Sequence, residues 1–206
     1  MKKYFVTGID TDAGKTVVAA ILTKALQADY WKPIQAGELD NTDTMKVQRL
    51  VNDSKTTFYP EGYRLQTPAS PHYAAELDQV RIDTNELELP STTNNLIVEG
   101  AGGLFVPLND KELIIDLMAQ WQIPVILVSK NYLGSINHTL LSIFALQQKN
   151  IPIAGIVFNG EATPATEDYI VQYTQLKKLA RIPWTGTLDS DWINEQAAQF
   201  DTDLLV

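Results

Sequence analysis

The chain has 206 residues, 45% hydrophobic and 20% charged, with a net charge of −9 and no cysteine. These are globular values, without disorder-prone bias, in a chain long enough to bury a real core as one large α/β domain or two small ones. They exclude disulfides, thiolate catalysis and cysteine-based zinc sites, argue against wrapping a nucleic acid, and leave any anionic ligand to be held by local devices.

Tyr4, Phe5 and Val6 form a short apolar strand. The stretch Thr7–Gly8–Ile9–Asp10–Thr11–Asp12–Ala13–Gly14–Lys15–Thr16 leads from it into a helical run from Val17 to Leu26. A strand, a tight loop ending Gly-Lys-Thr and a helix make a phosphate-binding loop, because backbone N–H groups and a helix N-terminus present positive potential to phosphate oxygens. Lys15 can then reach the β- and γ-phosphates, and the Thr16 hydroxyl is placed to ligate Mg²⁺. Five residues separate Gly8 from Gly14, where the usual spacing is four. A glycine-containing turn with an incidental Gly-Lys-Thr is the alternative. The sequence enters a strand at once, so no signal peptide is expected, and no apolar run approaches the ~18 residues that span a bilayer. A cytoplasmic protein with no membrane partner is the expectation.

Tyr30–Trp31–Lys32 reads as a second strand, closed by Pro33. The loop Ile34–Glu38 follows, and Asn41–Thr42–Asp43 opens a helix through Met45, Val47, Leu50 and Val51. Residues 55–95 are the least regular part, punctuated by Pro60, Pro68, Pro71 and Pro90, with Ser70–Pro71–His72 reading as a helix start. Asn95–Glu99 is a buried-strand run ending in a carboxylate and followed by Gly100–Ala101–Gly102–Gly103. Ile114, Leu117, Met118 and Trp121 fall at helical spacing, and Pro124–Val128 is an apolar strand of the parallel-sheet kind. Ser135 is expected to cap a helix carrying Ile136, Leu140, Ile143 and Phe144, followed by a strand from Ile153 to Phe158 that closes on Asn159–Gly160. Thr166 is expected to open the next helix, and a last strand and helix are placed near Thr185–Leu188 and Asp191–Phe200. This alternation predicts one α/β domain over residues 1–206, a P-loop NTPase-like, mostly parallel sheet with helices on both faces.

Such sheets bind ligands at the carboxyl ends of their strands, and Lys15 with Thr16, Lys32, Glu99 and Asn159 all fall there. Each has a plainer reading. Glu99 could be a carboxylate ordered by the following glycine N–H groups rather than a Mg²⁺ ligand. Asp43 could be a helix-start acid, Lys32 a strand-end lysine reaching solvent, and Asn159 before Gly160 simple turn chemistry.

Seven segments in order resemble the dethiobiotin synthetase family. They are Gly-Ile-Asp-Thr-Asp-Ala-Gly-Lys-Thr at 8–16, Lys-Pro-Ile-Gln-Ala-Gly at 32–37, Asn-Thr-Asp at 41–43 and Pro-Ala-Ser-Pro-His at 68–72. Val-Glu-Gly-Ala-Gly-Gly at 98–103, Leu-Gly-Ser-Ile-Asn-His at 133–138 and Val-Phe-Asn at 157–159 complete the set. The lengthened loop is the family's own form. The resemblance implies closure of a ureido ring on 7,8-diaminononanoate with CO2, using ATP as co-substrate and Mg²⁺. It implies Mg²⁺ held by Thr16, Asp43 and Glu99, and a triphosphate cradled by Lys15 and the N–H groups of Asp12, Ala13, Gly14, Lys15, Thr16 and Val17. Gly100, Ala101 and Gly102 join the nucleotide contacts, and Asn159, with Gly160 beside it, would recognise adenine. Lys32 and Lys15 are the implied catalytic residues, Lys32 stabilising the carbamate and the transferring phosphoryl group. The substrate would meet position 36 and, through its carboxylate, the helix start Gly134–Ser135–Ile136–Asn137 of the other subunit of a homodimer.

Three departures stand against that pattern. Ala36 replaces a common Ser or Thr, Asp12 replaces a common Glu, and Gly186–Asp189 sits where an Ile-Pro pair is expected beside adenine. Two rivals fit less well. A partitioning-type P-loop ATPase carries an additional lysine where this chain has Ile9, Asp10 and Thr11. A small-molecule kinase would need an Arg-rich lid, and only Arg64 and Arg81 fall in the irregular middle.

Overall fold

In the computed structural model, which describes residues 1–205, strands and helices alternate along the chain. β1 (Lys3–Gly8) leads through a 3-10 turn at Thr11–Ala13 to α1 (Lys15–Ala25), β2 (Asp29–Trp31), β3 (Ile34–Ala36) and α2 (Asp43–Val51). β4 (Phe58–Tyr59), β5 (Tyr63–Leu65), α3 (Pro71–Leu77), β6 (Leu96–Glu99) and α4 (Ile114–Trp121) follow. β7 (Val125–Lys130), α5 (Ser135–Gln148), β8 (Ile153–Asn159), α6 (Pro164–Thr174), β9 (Lys178–Ile182) and α7 (Ser190–Gln199) come last.

Seven strands form one sheet in the order β4-β2-β6-β1-β7-β8-β9, and every neighbouring pair is parallel. A parallel sheet must be covered on both faces, and the period-two alternation of strand side chains shows how it is done here. Tyr4 and Val6 of β1 point into a layer shared with Val18, Ile21 and Leu22 of α1, Val47 of α2 and Ile193 of α7. Phe5 points the other way, among Val98 of β6, Val125 of β7 and Leu117 and Met118 of α4. Leu127 and Phe158 meet Ile143 of α5 and Ile170 of α6 in a smaller cluster. From β1 the chain first builds outward through β2 on one side, and later crosses to β7 on the other. The order therefore reverses around β1, which opens a crevice at its carboxyl end. Among the described residues no helix is long and apolar enough to cross a membrane.

Several local expectations need correction. The last strand is Lys178–Ile182, not Thr185–Leu188. It is an edge strand in which buried Leu179 and Ile182 stand among exposed Lys178 and Arg181, so it lacks the continuous apolar run of a central strand. Residues 34–36 are not loop but β3, which pairs with β5 in a separate two-stranded sheet. α6 starts at Pro164 rather than Thr166, since proline's fixed φ suits a first helical position. Ser135 does not cap α5: Gly134, at φ 105°, takes that place, and Ser135 is the first helical residue. A left-handed φ there favours glycine over any residue with a Cβ.

Candidate active site

The phosphate-binding loop is shaped by close backbone packing. A Cβ on Gly8 would lie 2.8 Å from both the Ala13 Cβ and the Asp10 carbonyl. Gly14 has φ 92° and lies directly under the Asn159 amide, which leaves no room for a side chain. Asn159 Nδ2 donates to the Ala13 carbonyl at 2.9 Å, so the end of β8 latches the loop. Lys15 folds back over the loop, donating to the carbonyls of Asp10 (3.0 Å) and Thr11 (2.9 Å). Burial and the neighbouring Lys32 charge lower its ammonium to about 8, against the opposing pull of Glu99, Asp43 and Asp10. A phosphate brought to this lysine would favour its charged form.

Beside the loop lies a charged cluster. Glu99, 1% exposed at the end of β6, accepts from Thr16 Oγ1 at 2.8 Å and from Lys32 Nζ at 3.2 Å, both on Oε1. Its Oε2 accepts from the Tyr30 hydroxyl at 2.8 Å. Lys32 Nζ also lies 2.8 Å from Asp43 Oδ2 and 3.3 Å from the Gly100 carbonyl. Burial alone would lower the Lys32 pKa, but Glu99 and Asp43 outweigh it and hold the ammonium above the usual lysine value. Asp43 responds in the opposite sense: Lys32 overrides its burial and keeps the carboxyl below the usual range. Asp43 also meets Lys46, which reaches Glu38 at 2.6 Å. The position of Asp43 comes from two neighbours, since Thr42 caps α2 through the Met45 N–H and Gln35 Oε1 accepts from the Asp43 N–H at 3.1 Å.

Loop and cluster open into one cavity of about 710 Å³. Of the residues expected at the site, Asp12, Gly14, Lys15, Thr16 and Lys32 line it. Ala36, Asp43, Glu99, Ala101 and Gly102 do so as well. Ala13, Val17 and Gly100 are not part of that lining, though Gly100 offers its carbonyl to Lys32. Asn159 and Gly160 are not part of the lining, and the Asn159 amide packs against Gly14. Gly134, Ser135, Ile136 and Asn137 are also outside it, with the Ser135 hydroxyl buried and lacking a hydrogen-bond partner. β9 ends ahead of Gly186–Asp189, the stretch expected beside adenine. Ile182 pairs with Asn159 and is followed by Pro183, so an Ile-Pro pair stands beside the end of β8.

Three further residues contribute for which the sequence carries no role. Gln35 falls inside the matching segment 32–37, Lys46 lies in α2 one turn from Asp43, and Tyr30 reads only as part of a short strand. Alternation along β2 and β6 held the one available signal for Tyr30, since Tyr30 pairs with Ile97, two residues before Glu99 on the same face.

The donor set fits a hard divalent cation. Thr16, Asp43 and Glu99 offer only oxygen, two of them as carboxylates. Such a set suits Mg²⁺, which keeps waters and phosphate oxygens alongside one or two carboxylates. The cavity lining sets the carboxylates Asp12, Glu38, Asp43 and Glu99 against the lysines Lys15, Lys32 and Lys46, with Lys32 shared between Asp43 and Glu99.

Parallel sheet, loop and helix define a P-loop NTPase fold. Solved structures with this fold include the cell division ATPase MinD of Pyrococcus furiosus, with a TM-score of 0.59 at 14% identity over 97% of this chain and 98% of that one. The ParA family ATPase of Chlorobium tepidum gives a TM-score of 0.58 at 12% identity, covering 96% and 98%. At such identities the likeness concerns the fold alone.

Sequence comparison is more specific. Residues 2–191 match a family model described as an AAA domain. The chain is 49% identical to the ATP-dependent dethiobiotin synthetase BioD of Christiangramia forsetii over 97% of its length and 96% of the relative's. The corresponding protein of Rhodopseudomonas palustris is 50% identical over 90% and 87%, and that of Brucella anthropi 46% over 94% and 92%. The chain belongs to the ATP-dependent dethiobiotin synthetase family.

Proposed function

We propose that this protein, working as a single domain in the cytoplasm, converts 7,8-diaminononanoate, CO2 and ATP into dethiobiotin, ADP and phosphate. The observation that carries this reading is the buried Lys32 ammonium, held charged at the wall of a cavity that also contains the phosphate-binding loop. A P-loop alone serves many reactions, and a charged lysine at the end of the second strand adds the electrophilic group that an anionic carbamate requires.

In the first step one substrate amine adds to CO2 and loses a proton, giving a carbamate. The carbamate oxygen then attacks the γ-phosphorus of ATP and releases ADP. The second amine attacks the resulting mixed anhydride at carbon, expels phosphate and closes the ring. Lys15 and the N–H groups of residues 12–17 bind the triphosphate and gather charge as it moves to the leaving oxygen. Lys32 stabilises negative charge on the carbamate and on the phosphoryl group in flight. Its raised pKa makes it a poor proton acceptor, so it acts as an electrostatic group rather than as a base. Thr16, Asp43 and Glu99 would hold Mg²⁺, which when bound supplies charge neutralisation at the phosphates. Asn159 and the Ile182–Pro183 pair would meet adenine.

The substrate carboxylate is assigned to Gly134–Asn137 of a second subunit, with the two sites of a homodimer at its interface. Two features support this: the helix start lies outside its own chain's cavity, and α5 and α6 expose Leu141, Phe144, Tyr169 and Tyr173. Incubation with ATP, Mg²⁺, bicarbonate and diaminononanoate should yield a cyclic urea detectable by mass spectrometry. ATP hydrolysis without that product would overturn the assignment. Sharing of the site is tested by mixing Lys32→Gln with Ser135→Glu chains. Each parent dimer has two defective sites, whereas half of randomly exchanged dimers carry one intact site of two, so activity should return to about a quarter of wild type. Mixed dimers, verified with differently tagged chains, that stay at the parents' level would rule out a shared site.

A further inference from the structure

Tyr30 is fully buried on β2, and its hydroxyl donates to Glu99 Oε2 at 2.8 Å. The other Glu99 oxygen takes both remaining contacts, from Thr16 and Lys32. The carboxylate is thus divided: one oxygen is tied into the sheet, and the other faces the loop and the cavity lysine. A glutamate's terminal torsion is soft, so the backbone of β6 cannot fix this division by itself. The Tyr30 ring is well placed to do so, because it is held against Phe58 at 6.0 Å between centroids.

We propose that Tyr30 is a positioning residue for the cation site, its hydroxyl fixing the rotation of Glu99 so that Oε1 stays turned toward Thr16 and Lys32. The proposal rests on the reading of Glu99 as a Mg²⁺ ligand and adds a residue that does not touch the cavity. Outer partners of this kind orient metal ligands, and their loss costs about 10–100-fold in metal affinity or activity.

Tyr30→Phe removes the hydroxyl and keeps the ring. Binding of ADP, followed by calorimetry at increasing Mg²⁺, should require about 10-fold more Mg²⁺ for its half-maximal enhancement, with Mg²⁺-free ADP binding unchanged. Glu99→Gln should also shift this curve, and adding Tyr30→Phe to it should change little more, because the first substitution has already removed the group through which Tyr30 acts. A lower melting temperature in Tyr30→Phe with an unmoved Mg²⁺ curve would reduce Tyr30 to packing, provided that Glu99→Gln does move the curve. If Glu99→Gln leaves the curve in place, the cation reading of Glu99 fails and the role of Tyr30 with it. Additive shifts in the double variant would show that Tyr30 acts by another route and would also overturn the proposal.

Discussion

Glu99 and Glu167 are both buried glutamates that meet a lysine, yet their surroundings differ in what is left over. Glu167, in the first turn of α6, accepts from Asn131 Nδ2 at 2.9 Å, from the Thr163 N–H at 3.2 Å and from Lys178 Nζ at 2.7 Å. One lysine matches one carboxylate, and neither residue lines the active-site cavity. Its role is to tie α6 to the ends of β7 and β9. Glu99 instead shares Lys32 with Asp43, beside a cavity and a phosphate-binding loop. Burial is common to both residues, so burial does not identify the site. A lysine shared between two carboxylates next to open volume does, because such carboxylates can accept a further positive group.

The largest effects are expected on the active-site side. Lys32→Gln should lower turnover by about 10²-fold or more, as loss of an electrostatic stabiliser does, while ATP binding changes little. Steady-state kinetics paired with direct nucleotide binding checks this, and near-normal turnover would mean that the lysine is misassigned. Glu99→Gln should come next, weakening Mg²⁺-dependent nucleotide binding by about 10-fold or more while leaving the fold intact by circular dichroism.

On the other side, Glu167→Gln should leave turnover unchanged and cost about 1–2 kcal/mol of stability at neutral pH, measured by denaturant unfolding. Burial alone would raise the Glu167 pKa, but the bonds from Lys178, Thr163 and Asn131 outweigh it and hold the carboxyl below 4.5. A folded value below the unfolded one means that the stabilisation is present above the unfolded value and vanishes as pH falls through the folded one. The gap between wild type and Glu167→Gln should therefore narrow in acid below pH ~4.5. The smallest effect belongs to the partly exposed Lys149–Asp116 pair. Lys149→Ala should cost about 0.5 kcal/mol or less, and the loss should shrink further in high salt.

What could be read from the sequence follows the same division. The central strands announce themselves as apolar runs, since a strand covered on both faces has no polar side to hide the pattern; Val125–Val128 is one case. The loop before α1 was legible because phosphate binding restricts residue types at fixed spacing. β9 was not, because an edge strand mixes Lys178 and Arg181 with its two buried residues. β3 was missed because three residues carry no period, and its partner β5 lies in the proline-punctuated middle. Lys32, Asp43 and Glu99 were each ambiguous alone and gained meaning from their place at strand or helix ends. The Tyr30–Glu99 contact joins residues 69 apart in sequence, and only the pairing of β2 with β6 brings them together.

The most direct test of this contrast is the rate of labelled-ring formation from ¹³C-bicarbonate, followed against Mg²⁺ concentration at a temperature where every variant is folded. Wild type, Glu99→Gln and Glu167→Gln would be compared on the same axes. Glu167→Gln should overlay wild type, whereas Glu99→Gln should need more Mg²⁺ and reach a lower plateau. An overlay of Glu99→Gln on wild type, or equal displacement of both variants, would mean that Glu99 has no role at the cation site beyond that of a buried structural glutamate.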